Sequence, residues 1–392
     1  MDILHIVPSL DKHTGGPASS VLMLCHGLAK LGVKVSIFTT KSLAENSLDN
    51  AWHKNVDLDG YKISYFNLRY LWFAKSVATS KALWSKLSES WNSYDLIHVH
   101  GIWNPISTFA MKILREKGAR YCLSPHGMLV PMLISLNRFK KSSWLFLWER
   151  ANIAQAQLVH FTTTVEQEKA MRTGLHFRRT VVIPNLLDLS YWKNLPPRKD
   201  FESMVPGIIG REVILFVGRI NWIKNLDKLI QAMAIVCRDR PSAMLVCVGP
   251  DSDNHRSKLE RQAFNLGIHD HVLFTGMLTG NSLKTAYARA DLLALVSKHE
   301  NFGMVIAEAL ACGVPVVLSE DLDIVKEIPM GGPILPVRPT PPEIAKGIIF
   351  MLDQSKQIGL PDPRAKAIPQ KLWGMDQAQK YIASYSTLLG NE

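Results

Sequence analysis

The residues best placed to do chemistry fall between Asp291 and Glu320, in the stretch DLLALVSKHENFGMVIAEALACGVPVVLSE. Asp291 to Val296 is a short apolar run suited to a strand buried on both faces. Ser297 to Gly303 interrupts it with polar groups and a glycine. From Met304 the apolar positions Met304, Ala307, Leu310 and Ala311 recur at helical spacing and stop at Gly313-Val314-Pro315. This spacing carries one carboxylate, Glu300, to the carboxyl end of a strand and the mouth of a helix. Glu308 lies eight residues on, amid Ile306, Ala307, Ala309 and Leu310, where a carboxylate is costly to bury unless it is hydrogen-bonded. Two vicinal ribose hydroxyls would satisfy it, because an ionised carboxylate has two acceptor oxygens. The free amides of Gly303, Met304 and Val305 point to where a phosphate would sit. A solvated loop with Glu308 on an exposed helix face is the plainer reading of such a Glu pair taken alone.

A second constellation is Gly218-Arg219-Ile220-Asn221-Trp222-Ile223-Lys224-Asn225, between the apolar run Val213 to Val217 and a helix with Leu226, Leu229, Ile230, Met233 and Cys237 on one face. Arg219 and Lys224 straddle a strand-to-helix turn, so both cations can converge on one anion; two solvated charges are the alternative. In the first half, Ser9 to Pro17 contains the paired glycines Gly15-Gly16 before a helix. They permit close approach of backbone to an anion, and equally a plain turn. No G-x-G-x-x-G follows the first strand, which argues against a dinucleotide dehydrogenase. His98 and His100 share one face of a strand, so a metal site must be considered, but no third ligand is near in sequence and none is assigned. Trp103 and Asn104 fall at the carboxyl end of that strand, where ligands bind in open α/β sheets and where a sugar would stack on the indole. Another strand ends at Ser124-Pro125-His126-Gly127.

The motif Ser297-x-x-Glu300-Asn301-Phe302-Gly303, with Glu308 and the Ala-Cys-Gly-Val-Pro-Val-Val tail, resembles the E-x7-E signature of retaining glycosyltransferases of the GT-B fold, family GT4. The resemblance implies that Glu300 contacts the donor sugar, that Glu308 holds the nucleotide ribose, and that Phe302, Gly303, Met304 and Val305 belong to the donor site. The G-R-x(4)-K arrangement resembles the pair that grips the donor diphosphate, which assigns that role to Arg219 and Lys224. Gly16 resembles the glycine that faces the donor phosphates. Pro125-His126-Gly127 resembles the P-H-G motif whose histidine lies beside the transferred sugar. Phe274 to Leu278 corresponds to a loop whose backbone touches the nucleobase, and Met277 is its donor-site residue. Gly249-Pro250-Asp251-Ser252-Asp253 invites comparison with a D-x-D metal motif, but it is a turn after a strand and is read as one. Thr162 to Glu168 has helix-start chemistry, and its carboxylates are read as structural.

These loops need rigid elements beneath them. Apolar runs at Ile3–Val7, Val33–Phe38, Ile63–Phe66, Leu96–Val99, Arg120–Ser124, Leu158–Thr162 and Val181–Ile183 alternate with helical stretches, and a second series runs through Val213–Val217, Met244–Val248, Val272–Phe274, Leu292–Val296 and Val316–Leu318. This predicts doubly wound parallel sheets. The expected architecture is α/β, a GT-B fold of two Rossmann-like domains facing across a cleft. Residues 1–190 form the acceptor domain and 191–371 the nucleotide-sugar domain, joined by a Pro/Lys-rich linker. The last helix, about 372–392, packs back on the first domain through Trp373, Tyr381, Ile382 and Tyr385. A length of 392 residues suits two domains with large cores.

The net charge is +11, and the excess is in the first half. Residues 1–190 hold 22 Lys and Arg against 13 Asp and Glu; the remainder holds 23 against 21. Such a surface attracts anions, but no helix-turn-helix, finger or RNP pattern occurs, so nucleic acid is not expected as a partner. Basic and aromatic residues mix in Arg69 to Lys75 and Arg138 to Trp144, which suits peripheral contact with an anionic leaflet as well as ordinary amphipathic packing. Five cysteines without a CxxC read as reduced packing residues, and Met1-Asp2 leads straight into a strand, so a cytoplasmic protein is expected.

The expected activity is retaining, metal-independent transfer of a hexose from a nucleoside-diphosphate sugar, with Glu300, His126, Arg219 and Lys224 as the catalytic set. UDP-glucose is the expected donor and GDP-mannose the second choice; no cofactor beyond this substrate is implied. The expected acceptor is a saccharide or polyprenyl-diphosphate-linked saccharide in exopolysaccharide or envelope glycan synthesis. A nucleotide-sugar epimerase and a non-catalytic scaffold of the same fold are the alternatives.

Overall fold

The computed structural model describes residues 1–11, 16–41, 53–58, 60–71, 74–131, 138–252, 254–329 and 331–390. The chain forms two compact units, Met1–Leu186 with Met375–Glu392, and Leu187–Gly374. Among the described residues no helix is long and apolar enough to cross a membrane.

The first unit carries β1 (Asp2–Ser9), β2 (Lys34–Lys41), β3 (His53–Leu58), β4 (Tyr61–Asn67), β5 (Arg69–Leu71), β6 (Ala74–Thr79), β7 (Leu96–His100), β8 (Tyr121–Ser124), β9 (Leu158–Phe161) and β10 (Thr180–Val182). Eight of these form one sheet in the order β10-β9-β8-β7-β1-β2-β4-β3, and β5 and β6 form a separate hairpin. All pairings in the large sheet are parallel except β3 with β4. The antiparallel edge strand and the hairpin were not expected: HKNVDL is too polar to read as a buried strand, and β3 needs only one neighbour.

The second unit carries β11 (Glu212–Val217), β12 (Ala243–Val248), β13 (Val272–Gly276), β14 (Leu292–Leu295), β15 (Val316–Ser319) and β16 (Ile334–Val337). They form one parallel sheet in the order β13-β12-β11-β14-β15-β16. Strand β16 also escaped the sequence reading, because Pro336 interrupts its apolar pattern; proline is tolerated there since the strand lies at the sheet edge. The order reverses between β11 and β14. Ligands of open α/β sheets bind at such a switch point, outside the carboxyl ends of the strands, and the loops after β11 and β14 are the Arg219/Lys224 and Glu300 segments. Packing there is close: Gly249, after β12, has φ 150°, and a Cβ on it would collide with the Gly218 carbonyl.

One core fills the second unit. The helix Pro363–Leu372 and Trp373 belong to it, Trp373 meeting Phe302 edge-on at 5.5 Å. Trp373 therefore does not join the first unit; Tyr381, Ile382 and Tyr385, from the helix Asp376–Leu389, do.

The first unit has a core on each sheet face. Into the face covered by Tyr381 and Tyr385 project four buried histidines, His5, His98, His100 and His160. The parallel register of β1 with β7 sets His5 beside His98. Burial holds all four imidazoles neutral, His5 pulled down to about 3 and His160 to about 4, His98 and His100 well below the ordinary value. The unfolded chain takes up these protons near pH 6.5 and the folded chain does not, so stability present above that pH is lost as pH falls through the window below it. At pH 5 His5 and His160 each cost roughly 2 kcal/mol. The urea midpoint of the first unit is expected to drop steeply between pH 7 and pH 5, with proton uptake on unfolding; an unchanged midpoint contradicts buried neutral imidazoles.

Candidate active site

In the second unit the loop after β11 is shaped by asparagines. The Asn221 side-chain oxygen accepts from the amides of Ile223 and Lys224 at 3.1 and 3.3 Å, closing a turn. Asn225 stands in the left-handed region at φ 59° and donates its side-chain amide to the Val296 carbonyl at 3.1 Å. The Lys298 amide donates to the Ile223 carbonyl at 2.8 Å, and the Lys298 ammonium lies 5.2 Å from the Trp222 ring centroid. Two hydrogen bonds thus lace the loop after β11 to the loop after β14.

That lacing brings Lys224 against Glu300, whose carboxylate accepts a charge-assisted hydrogen bond from Nζ. Both side chains are largely buried, at 14% and 16% exposure, so the pair is shielded from the screening that weakens surface ion pairs. Gly303, at φ 69°, turns the chain into the helix Met304–Ala311, whose Met304 and Val305 amides have no intrahelical acceptor. A Cβ at Gly303 would press on the Glu300 side chain at 3.3 Å and Ile306 at 3.0 Å. Arg219 is exposed on the same loop as Lys224. Phe302 is buried against Trp373 and Met304 faces the core, so only their backbone is available to a ligand. Val305 also packs on the core, and Met277, half-buried, follows β13. Glu308 accepts the Tyr287 hydroxyl proton at 2.6 Å; burial pushes its carboxyl up, and that hydrogen bond opposes the shift.

In the first unit two loops carry strained residues, each tied down by a buried carboxylate. After β7, Trp103 has φ 63°; its amide donates to Glu149 at 3.1 Å, and Glu149 also accepts from Thr108 at 2.5 Å and Trp144 at 3.3 Å. After β8, His126 has φ 52° and Gly127 φ 79°; the Gly127 amide donates to Glu166 at 2.5 Å, and Glu166 also accepts from the Thr162 amide and hydroxyl at 2.8 and 3.0 Å. Non-glycine residues with positive φ persist only where the surroundings over-determine them, and they cluster at functional sites. Half-buried His126 accepts or donates one hydrogen bond, to His100 at 3.0 Å.

The helix Gly16–Lys30 begins at Gly16, which is exposed; Gly15 and the residues 12–14 before it lie outside the described residues. Asn104 caps the helix Pro105–Glu116 through Ser107 at 2.9 Å and donates to the Ile102 carbonyl at 3.2 Å, so capping occupies its side chain. Trp103 donates its indole N–H to the Met128 carbonyl at 3.0 Å, which fixes the ring. Asp251 caps the helix His255–Asn265 through the amides of His255 and Arg256 at 2.9 and 3.1 Å, the structural part expected of that turn. All five cysteines are free. The third histidine missing beside His98 and His100 is His5: ring nitrogens of the three lie within 4.8 Å of one another. Sheet pairing, invisible in linear spacing, supplies it. Asn225, Tyr287 and Glu149 were likewise missed, because each acts through a partner distant in sequence; Asn221 was missed although its partners, Ile223 and Lys224, are local.

Comparison with known proteins agrees with the two parallel-sheet units. The family described as glycosyl transferases group 1 matches residues 201–364, and the glycosyl transferase 4-like domain matches residues 15–186. An uncharacterized glycosyltransferase of Methanocaldococcus jannaschii is 41% identical over 108 residues, 28% of this chain and 27% of that protein. A D-inositol 3-phosphate glycosyltransferase of Kineococcus radiotolerans is 27% identical over 334 residues, 77% of this chain and 72% of that protein. The match to the first of these spans about a quarter of that relative's length. Among solved structures, sucrose-phosphate synthase from Thermosynechococcus elongatus superposes with a TM-score of 0.79 at 21% identity over the whole of both chains. Anabaena HepE in complex with UDP and glucose gives 0.77 at 20% identity over 99% of each. The two family matches fall one on each parallel-sheet unit and between them take in most of the chain, which belongs to the group 1 (GT4-type) glycosyltransferases of the GT-B fold.

Proposed function

We propose that the protein is a retaining hexosyltransferase that uses a UDP-sugar, UDP-glucose by preference, without a metal ion. The observation that carries this is the buried Lys224–Glu300 pair at the open amino end of the helix Met304–Ala311. Departure of the nucleoside diphosphate loads negative charge onto its β-phosphate. Preorganised donors aimed at that charge contribute most of such a rate enhancement. Arg219, Lys224 and the amides of Gly303, Met304 and Val305 are these donors. They supply positive charge in the place where a metal would otherwise be needed.

Glu300 positions the sugar through its hydroxyls. One of its oxygens is engaged by Lys224, which suits a positioning role and not a covalent nucleophile; the acceptor attacks on the face from which the diphosphate leaves, and a phosphate oxygen takes its proton. Glu308 holds the ribose, oriented by Tyr287. The backbone at Met277 is assigned to the base, and Gly16 and His126 keep the roles that the resemblance implies for them. UDP and glucose in HepE and the inositol phosphate glycosyltransferase relatives support a nucleotide-sugar donor. We place the acceptor among lipid-linked saccharides at a cytoplasmic membrane face. Phe146 and Leu147, 76% and 57% exposed beside the Arg138–Trp144 helix, suit that contact; Trp72 and Phe73 of the other basic-aromatic segment lie outside the described residues.

Incubating the protein with a panel of nucleotide sugars and following slow hydrolysis tests the reading and names the donor. Arg219→Ala, Lys224→Ala and Glu300→Ala should each lower turnover by a hundredfold or more, about 3 kcal/mol, with circular dichroism unchanged; full activity in all three ends the assignment. Because burial raises the Glu308 carboxyl, its ionised form is lost early as pH falls. The donor KM should therefore rise toward acid pH, and Glu308→Gln should flatten that rise. A KM independent of pH in the wild type contradicts ribose binding by an ionised Glu308.

A further inference from the structure

Two chains of hydrogen bonds run through the buried histidines of the first unit, and the proton positions along one of them follow from chemistry alone. The Ile183 carbonyl can only accept, so His160 must donate to it from Nε2, at 2.7 Å. Neutral His160 then accepts at Nδ1, which requires the Ser124 hydroxyl to donate, at 2.7 Å. Ser124 in turn accepts from His98 Nε2, at 2.7 Å, leaving His98 Nδ1 to accept from the Tyr385 hydroxyl, at 2.7 Å. The Tyr381 oxygen, 2.8 Å from His160 Nε2, shares that ring's single proton as a second acceptor. Each ring nitrogen of this chain and the Ser124 and Tyr385 hydroxyls are thereby satisfied.

The second chain links His5 Nδ1 to His100 Nε2 at 2.9 Å and His100 Nδ1 to His126 Nε2 at 3.0 Å. With three neutral rings only two proton arrangements satisfy both links. Either every ring carries its proton on Nδ1 and each donates toward His126, or every ring carries it on Nε2 and each donates toward His5. They differ at the ends. His5 Nε2 is buried and has no partner among the described residues; in the second arrangement it would be an orphaned N–H, in the first a bare lone pair. Orphaned buried donors are the rarer of the two in native proteins.

We propose that His100, itself held by His5, is a positioning residue that keeps His126 in the Nδ1–H tautomer, so that the loop after β8 offers a hydrogen-bond donor to an oxygen of the bound nucleotide sugar. The nature of the ligand rests on the proposed function; the tautomer does not. Burial supports it by keeping the three rings neutral, with His126 pulled down to about 3, so the donor persists across the physiological range with no net charge. The two rigid clamps on this loop, Glu166 on Gly127 and the strained backbone at His126, fix where that donor points.

Neutron diffraction from deuterated crystals of the wild-type protein reads the protons directly. Deuterium on Nδ1 of His5, His100 and His126 is expected. Deuterium on His126 Nε2 overturns the proposal, as does a metal ion held by His5, His98 and His100 in place of the hydrogen bonds. Kinetics supply the second arm. In His100→Gln the carbonyl accepts from His5 and the amide donates to His126, so most of kcat should be retained. In His100→Phe nothing holds the tautomer: kcat should fall roughly tenfold with KM little changed. Equal kcat in the two variants assigns His100 to packing alone and overturns the proposal. If no nucleotide sugar is turned over but the deuterium lies on Nδ1, the tautomer stands and the ligand part is overturned together with the proposed function.

Discussion

A lysine and a glutamate held together at the mouth of a helix constrain the whole second unit. Bringing opposite charges out of water is favourable only when geometry is firm and the remaining hydrogen-bonding capacity is used. Lys224 and Glu300 meet that condition because their loops are stitched to each other through Asn225, Val296, Lys298 and Ile223. The sheet order makes the stitching possible, since β11 and β14 are neighbours with reversed succession on either side. Glycine enters where backbone must approach backbone: Gly303 beside Glu300, and Gly249 against Gly218. Each of these local choices bears on one place, the helix mouth where Lys224 meets Glu300.

The first unit follows a related logic with other means. Its two loops after β7 and β8 hold backbone in a region that bulky residues avoid, and in each case a buried glutamate accepts the amide that would otherwise be stranded. Below them lies a layer of neutral imidazoles where an ordinary domain would place leucine or valine. Such polar networks are tolerated when nearly every member is satisfied, and they rigidify what they touch. Here they touch the loop that presents His126.

How much of this was legible in the sequence depended on whether a signal was local. The sheets were, because a strand covered on both faces must be a continuous apolar run, as in Val213 to Val217 or Leu292 to Leu295. The turns carrying Arg219, Lys224 and Glu300 were also legible, because strand-loop-helix punctuation brackets them. The structure brings Lys224 and Glu300 together and leaves Arg219 exposed on the same loop. Asn104 looked like a ligand contact and proved to be a helix cap, since the carboxyl end of a strand is also where the next helix must be capped. Strands β3 and β16 escaped because edge positions relax the apolar requirement. His5 escaped for a different reason: its partners are 93 and 95 residues away, and only the register of β1 against β7 brings them together.

The central claim is that the second unit holds the departing diphosphate at the mouth of the helix Met304–Ala311. A crystal structure of the protein with a bound nucleoside diphosphate tests it most directly. The β-phosphate should sit against the Met304 and Val305 amides, with Arg219 folded over it, Lys224 turned from Glu300 toward it, and the ribose hydroxyls on Glu308. A nucleotide bound elsewhere on the unit, with the Lys224–Glu300 pair undisturbed, would contradict the account.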